Sequence, residues 1–201
     1  MPRLTRTESQ ALTRERLLDA GRRIFLQEGY VRASVDKVAE DAGYSKGAIY
    51  SNFASKEALF IALLKQKFES DLTGLRDLLQ NVSDPEELLV SLRRHYTNHV
   101  EVLDITLVAA EFLTQVGRGS PYVQECNALY AQQRQAMAEL IAALFERSGR
   151  SLPGAPVDLA TALIGLSMGL ALQRGVDPDA VTPGKWGQAI EQHLRGLLAL
   201  G

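Results

Sequence analysis

Apolar residues recur at helical spacing along almost the whole chain. Leu17, Ala20, Gly21, Ile24 and Phe25 share one face of a first helix, which the pattern starts at a Thr13 cap and ends near Gly29. Val35, Val38, Ala39 and Ala42 fall at i, i+3, i+4 and i+7. Ser34 stands before them as an N-cap, and Gly43 follows as the left-handed residue that closes a helix at little steric cost. Ser45 then caps a short helix from Lys46 to Phe53, with Ile49 and Phe53 inward. Ser55 opens a long fourth helix striped by Ile61, Leu64, Phe68, Leu72, Leu75 and Leu79. Residues 1–12 are polar and without period, which predicts a disordered arm carrying Arg3 and Arg6.

The second half continues in the same way. Asp84-Pro85-Glu86-Glu87 supplies a cap, a proline at N1 and a carboxylate at N3, and so starts a fifth helix with Leu88, Leu92, Tyr96, His99 and Leu103 on one face. A sixth helix begins near Leu103–Asp104 and is apolar nearly all round. Its polar stripe of Asp104, Glu111, Gln115 and Arg118 predicts a solvated or salt-bridged Glu111. A break at Gly117–Pro121 leads to a seventh helix, Pro121 to Arg147, with Cys126, Tyr130, Gln133, Met137, Leu140 and Leu144 inward. After a Gly- and Pro-rich loop at 148–156 comes the most apolar run, Leu159–Leu172. A last helix, Pro183 to Leu200, aligns Trp186, Ile190, Leu194 and Leu197. No stretch reads as a strand, so the expected fold is all-α with about nine helices.

Two short helices joined by a tight glycine turn form a helix-turn-helix, in which the start of the second helix reaches base edges in the DNA major groove. The residues Gly29-Tyr30, Ser34-Val35, Val38-Ala39, Ala42-Gly43, Ser45-Lys46-Gly47, Tyr50, Asn52-Phe53 and Ser55-Lys56-Glu57-Ala58-Leu59 resemble the DNA-binding domain of TetR-family repressors, without gaps from Arg14 to Leu59. Asn52 stands where many members have His, and Ser51 where many have an aromatic residue. The expected division is a DNA-binding domain at 1–58 and an effector-binding and dimerisation domain at 59–201. No Gly/Pro-rich linker separates them, so the fourth helix would act as a lever.

Within this motif Lys46 and Lys56 are expected beside backbone phosphates. Arg32 and Ser34 would grip phosphate at the start of the preceding helix. Gly47 would let the backbone approach DNA, and Ser45, Lys46, Ala48 and Tyr50 would read bases or fix register, with Asn52 further along the same helix. The resemblance implies a homodimer on a palindromic operator in double-stranded DNA, and an apolar pocket for a small-molecule effector between the fourth and eighth helices. Facing positions line that pocket with Phe68, Tyr96, His99, Phe112, Tyr130, Gln133, Met137 and Met168. Gly165 and Gly169, four apart, make a groove for a close helix contact. With Trp186, Ile190, Leu194 and Leu197 they would form half of a four-helix dimer interface.

Charge supports one DNA-facing end. The chain has a net charge of −2, yet residues 1–67 hold twelve Lys and Arg against eight Asp and Glu, while the remainder is acidic. The single cysteine, Cys126, excludes an internal disulfide and suits a reducing, cytoplasmic setting. The N-terminus lacks an apolar signal segment, and no run reaches the ~18–20 apolar residues of a membrane helix.

Three other patterns point away from DNA binding. Gly165-Leu166-Ser167-Met168-Gly169 fits G-x-S-x-G, and Asp177 or Asp179 and His193 follow in hydrolase order, but that elbow needs a strand before the serine. The pattern around Ser167 is helical, so no catalytic residue is expected. His95 and His99 have metal-compatible spacing without further ligands, so neither a metal nor a cofactor is expected. Two alternative functions stay open, a DNA-binding protein without an effector and an enzyme built on the helical body.

Overall fold

A computed structural model describes residues 5–99, 101–117 and 119–200. Among them are nine helices and no strand: α1 (Arg6–Arg32), α2 (Val35–Ala42), α3 (Lys46–Asn52), α4 (Lys56–Asn81), α5 (Pro85–Asn98), α6 (Glu101–Val116), α7 (Pro121–Arg147), α8 (Pro156–Val176) and α9 (Pro183–Leu200). Arg3 and Arg118, both singled out above, lie outside the described residues.

Two compact units are present, Met1–Gln66 with Val108–Cys126, and Lys67–Leu107 with Asn127–Gly201. This differs from a single boundary after residue 58. Helices α4, α6 and α7 each give one stretch to either unit, and no single cut in sequence can separate cores that share continuous helices.

In the first unit, α1 begins well before Thr13. Thr5 Oγ1 accepts from the Glu8 N–H at 3.2 Å and Glu8 Oε2 accepts from the Thr5 N–H at 2.7 Å, a reciprocal capping box. Residues 6–12 are therefore helical rather than a disordered arm, and Thr13 donates its hydroxyl to the Ser9 carbonyl inside the helix. An added turn on an existing helix needs no buried face of its own, which is why apolar periodicity missed it. Regular helix is broken at Gly29 (φ 75°, ψ 172°), and a single turn leads on to Arg32.

The turn chemistry of the two-helix motif is as read from sequence. Ser34 accepts from the Lys37 N–H, Gly43 is left-handed at φ 71°, and Ser45 accepts from the Ala48 N–H. Leu17, Ala20, Phe25, Val38, Ala39, Ile49, Phe53 and Leu59 are buried beneath it. Phe25, Tyr30, Phe60 and Phe112 complete this core as an aromatic cluster with centroids 5.0–5.8 Å apart. Such edge and tilted pairs add about 0.5–1.5 kcal/mol each beyond the burial itself.

In the second unit α5 starts at Asp84, whose carboxylate accepts from the Glu87 N–H at 2.7 Å, with Pro85 at N1. α9 lies so close to α5 that a Cβ at Gly187 would collide with the Arg93 carbonyl and the Thr97 hydroxyl. Trp186, Ile190 and Leu194 are fully buried in this unit's core with Leu88, Leu89 and Leu92, and Leu197 packs at its edge. Those three buried residues cannot form a dimer surface as expected. The stripe on α9 is spent inside its own chain, and periodicity alone does not say which chain a face is buried against.

α8 has the opposite fate. Only Ala160, Leu163 and Ala171 are buried on it, while Val157, Leu172 and Val176 are exposed. Its length and composition reach the limit for a membrane span, contrary to the expectation that no run would. Leu163 and Ala160 nevertheless sit in the core, and Trp186 Nε1 donates to Ser167 Oγ at 3.4 Å.

Candidate nucleic-acid interface and effector site

Helix α3 is anchored from beneath by fully buried Ile49, and it turns Ser45, Lys46, Gly47 and Tyr50 to solvent. Lys46 pairs with Asp36 on α2 at 2.8 Å, and hydrogen bonding to that carboxylate raises the lysine's pKa. Gly47 has room for a Cβ, with only Ser45 Oγ within 4 Å at 3.7 Å. Ala48 is half-buried. Asn52 folds back on its own helix, donating Nδ2 to the Ala48 carbonyl at 2.8 Å. Arg32 also turns back, donating to the Glu28 carbonyl at 3.1 Å. Ser34 and Ser45 use a hydroxyl lone pair as caps.

Lys56 does not extend outward. Its ammonium lies 4.3 Å over the Tyr30 ring and donates to the Val31 carbonyl at 3.4 Å, and partial burial lowers its pKa. These contacts tie the lysine to the fold of the first unit.

Ion pairs fix α2 to α1: Arg23 to Asp41 at 2.6 Å and Lys37 to Glu28 at 2.7 Å. Arg14 ties α1 to the end of α3, donating to the Asn52 carbonyl at 2.9 Å with its guanidinium 4.3 Å from the Phe53 ring centroid. Sequence reasoning missed a further residue of this frame. Glu111 on α6 is half-buried and bonds to backbone. Its Oε2 accepts from the Tyr30 N–H at 2.8 Å and the Val31 N–H at 3.4 Å. Those N–H groups lack helical partners because Gly29 breaks the helix before them, and the carboxylate supplies the acceptor. The signal in sequence is an acid in the middle of an apolar helix, while the positive φ of Gly29 that creates the demand for it has no apolar pattern to announce it.

The expected effector residues divide between the units. Phe112 is fully buried in the aromatic cluster of the first unit. In the second unit Phe68 and Tyr130 make an edge contact at 5.3 Å, and Tyr96 contacts Trp186 at 4.9 Å. Met137 is buried in the core, and Met168 is half-buried on α8. Gln133 presents a buried Oε1 with no hydrogen-bond partner. His99 ends α5, stacks on His95 at 4.2 Å and places Nδ1 2.6 Å from the His95 carbonyl, a hydrogen-bonded histidine as read. Burial, followed by the charges of His99 and Lys67, pushes the His95 pKa down to about 4. Beside them Lys67 and Asp71 form a largely buried pair at 2.8 Å; burial raises the Asp71 pKa and Lys67 opposes it. Among the described residues no cluster of three metal-ligating side chains occurs. Ser167 stands in mid-helix rather than on a strand-to-helix elbow.

Comparison with known proteins agrees with this architecture. Residues 17–63 match the model of bacterial regulatory proteins of the tetR family, and residues 100–199 match the C-terminal model of BetI-type transcriptional repressors. The chain is 31% identical over 88 residues to the transcriptional activator FasR of Mycolicibacterium smegmatis, covering 44% of this chain and 40% of that protein. Other curated relatives are likewise matched over 34–53% of their own length. Among solved structures, the fatty acid degradation regulator FadR of Bacillus halodurans superposes with a TM-score of 0.75 at 19% identity, covering 90% of this chain and 97% of that one. FadR of Bacillus subtilis, in complex with stearoyl-CoA, gives 0.73 at 15% identity, over 90% and 96%. At these identities the likeness is one of fold.

Proposed function

The chain belongs to the TetR family of bacterial transcriptional regulators, and from that premise we propose that it is a cytoplasmic, homodimeric repressor. It leaves a palindromic operator when a small apolar or amphipathic molecule enters its helical body. The observation that carries the DNA part is the presentation of α3, held by Ile49 and leaving Ser45, Lys46, Gly47 and Tyr50 at the solvent side. A short helix offering hydroxyls, one cation and an aromatic side chain suits a major groove bordered by phosphates. Repression rather than activation is favoured by the repressor model that matches residues 100–199.

Dimerisation through α8 is supported by its exposed apolar positions and by Gly165 and Gly169, neither of which has a neighbour within 4 Å of an added Cβ in its own chain. An effector of apolar character with one hydrogen-bond donor is supported by Phe68, Tyr130 and the unpartnered Gln133 Oε1. The stearoyl-CoA complex of a protein with this fold is in keeping with an amphipathic ligand that carries a long apolar chain. Coupling then follows from differential affinity of that ligand for two arrangements of the dimer. Selection of bound duplexes from a random pool tests the proposal. An inverted repeat should be enriched; enrichment of no sequence, or of an asymmetric site bound by a monomer, would refute it.

A further inference from the structure

A polar seam runs through the second unit. Lys67, Asp71 and Gly74 stand at i, i+4 and i+7 on α4. Lys67 Nζ donates to Asp71 Oδ1 at 2.8 Å, and both side chains are largely buried. His95 of α5 lies against Gly74, where a Cβ would come within 2.8 Å of the His95 Cε1. A buried ion pair of this kind adds little to stability, because desolvation offsets the attraction.

Among the described residues two atoms of this region lack a hydrogen-bond partner, and both are acceptors. Asp71 Oδ2 receives no hydrogen bond, and Gln133 Oε1 is buried without one. The two residues lie at the same level of the unit. α4 and α7 run side by side in one direction: Phe68 meets Tyr130 at 5.3 Å, and farther along both helices Arg147 donates to the Leu79 carbonyl at 2.7 Å. Asp71 follows Phe68 by three residues, and Gln133 follows Tyr130 by three, so each stands one turn beyond that ring contact.

A ligand that completes this seam brings N–H donors and a positive charge. Lys67 is the group it displaces. The flexible lysine stem can carry its ammonium to water, and a second ammonium keeps the buried carboxylate paired. His95 does not oppose the exchange. Burial, then the charges of His99 and Lys67, push its pKa down to about 4 and leave the ring neutral near neutral pH. The Phe68 and Tyr130 rings, one turn away, suit an apolar chain beside a cation.

We propose that the effector is a primary amine on an apolar chain, whose ammonium replaces Lys67 on Asp71 and donates to Gln133 Oε1. The proposal rests on the helical body being the effector site, and it narrows the ligand to one with N–H donors on its charged end. A quaternary ammonium has the charge but no donor. A carboxylate would set a further acceptor beside two acceptors.

The test titrates the full chain with octylamine, octanol, octanoate and octyltrimethylammonium in a calorimeter, and follows release of a duplex selected from a random pool. Octylamine should bind on the order of tenfold tighter than each of the other three. Asp71→Asn should bring it down to the level of octanol. Lys67→Gln removes the competing ammonium and should tighten octylamine, a gain that misfolding cannot produce. If octanoate or octyltrimethylammonium binds best and releases the duplex, or if the amine preference survives Asp71→Asn, this proposal is overturned and the effector reading stands. Octylamine bound through Asp71 without release of the duplex upholds the site and overturns the effector reading. If none of the four binds, both fall.

Discussion

Gly29→Ala is the substitution whose cost the structure specifies most closely. The glycine sits at φ 75° and ψ 172°, a region that residues with a side chain hardly occupy, and holding one there costs about 1–3 kcal/mol. An added Cβ would also stand 2.7 and 2.9 Å from the two Glu111 carboxylate oxygens. The carboxylate would have to withdraw, and with it the acceptor of the Tyr30 N–H, now 2.8 Å away. A hydrogen bond to a charged group is worth about 1.5–3 kcal/mol. The two costs overlap, so about 3–5 kcal/mol is the expected loss, measured by urea unfolding followed by far-UV circular dichroism. The double-mutant cycle is the sharper test. In a Glu111→Ala background the added methyl meets no carboxylate, and Gly29→Ala should then cost only the backbone share of about 1–3 kcal/mol. Strict additivity, or a Gly29→Ala protein as stable as the parent, would refute the steric link between the helix break and α6.

Three further outcomes are expected. Gly165→Leu and Gly169→Leu find open space in their own chain, so melting of the protomer should hold while the dimer weakens by about 1–3 kcal/mol in sedimentation; an undiminished dimer would place the interface elsewhere. Gln133→Leu removes a buried acceptor without a partner and should stabilise the fold by about 1 kcal/mol while raising the effector dose needed to release DNA; an unshifted dose response would take Gln133 out of the effector site. His95 has its pKa lowered from 6.5 to about 4, so between those values the unfolded chain binds a proton that the folded chain does not. Stability should therefore fall by about 2 kcal/mol as pH drops through that window, the full shift being discounted because the ring is partly exposed. His95→Phe should flatten this slope in urea titrations at pH 4–7, and an equal slope in both proteins would assign the loss to other groups.

The α2–turn–α3 motif was legible in sequence because its determinants are local. Ser34 and Ser45 each bond an N–H three residues on, and Gly43 closes its helix by its own backbone angle. The capping box at Thr5 and Glu8 is equally local and present as T-x-x-E, but apolar periodicity is silent there because the first turns of α1 bury no face. Glu111 was illegible for a different reason. Its partner lies 81 residues away, and the demand for it arises only once Gly29 breaks the helix. Trp186, Ile190 and Leu194 were recognised as an apolar stripe but assigned to the wrong neighbour, since α5 of the same chain covers them.

The cations show the same limit at the candidate interface. Lys46 and Lys56 both follow the caps of short turns and both carry a full charge, so sequence ranks them alike as phosphate contacts. Tertiary structure separates them by desolvation. Lys46 is exposed and pairs with exposed Asp36, so water and salt screen that pair and a phosphate can displace it. Lys56 is half-buried, lies over the Tyr30 ring and donates to a backbone carbonyl, so moving it to DNA would leave that carbonyl without this donor and remove the cation–π contact. Two lysines of equal formal charge thus enter binding with different starting costs. The salt dependence of Lys46→Ala should accordingly change more than that of Lys56→Ala, whose main effect should fall on the melting temperature.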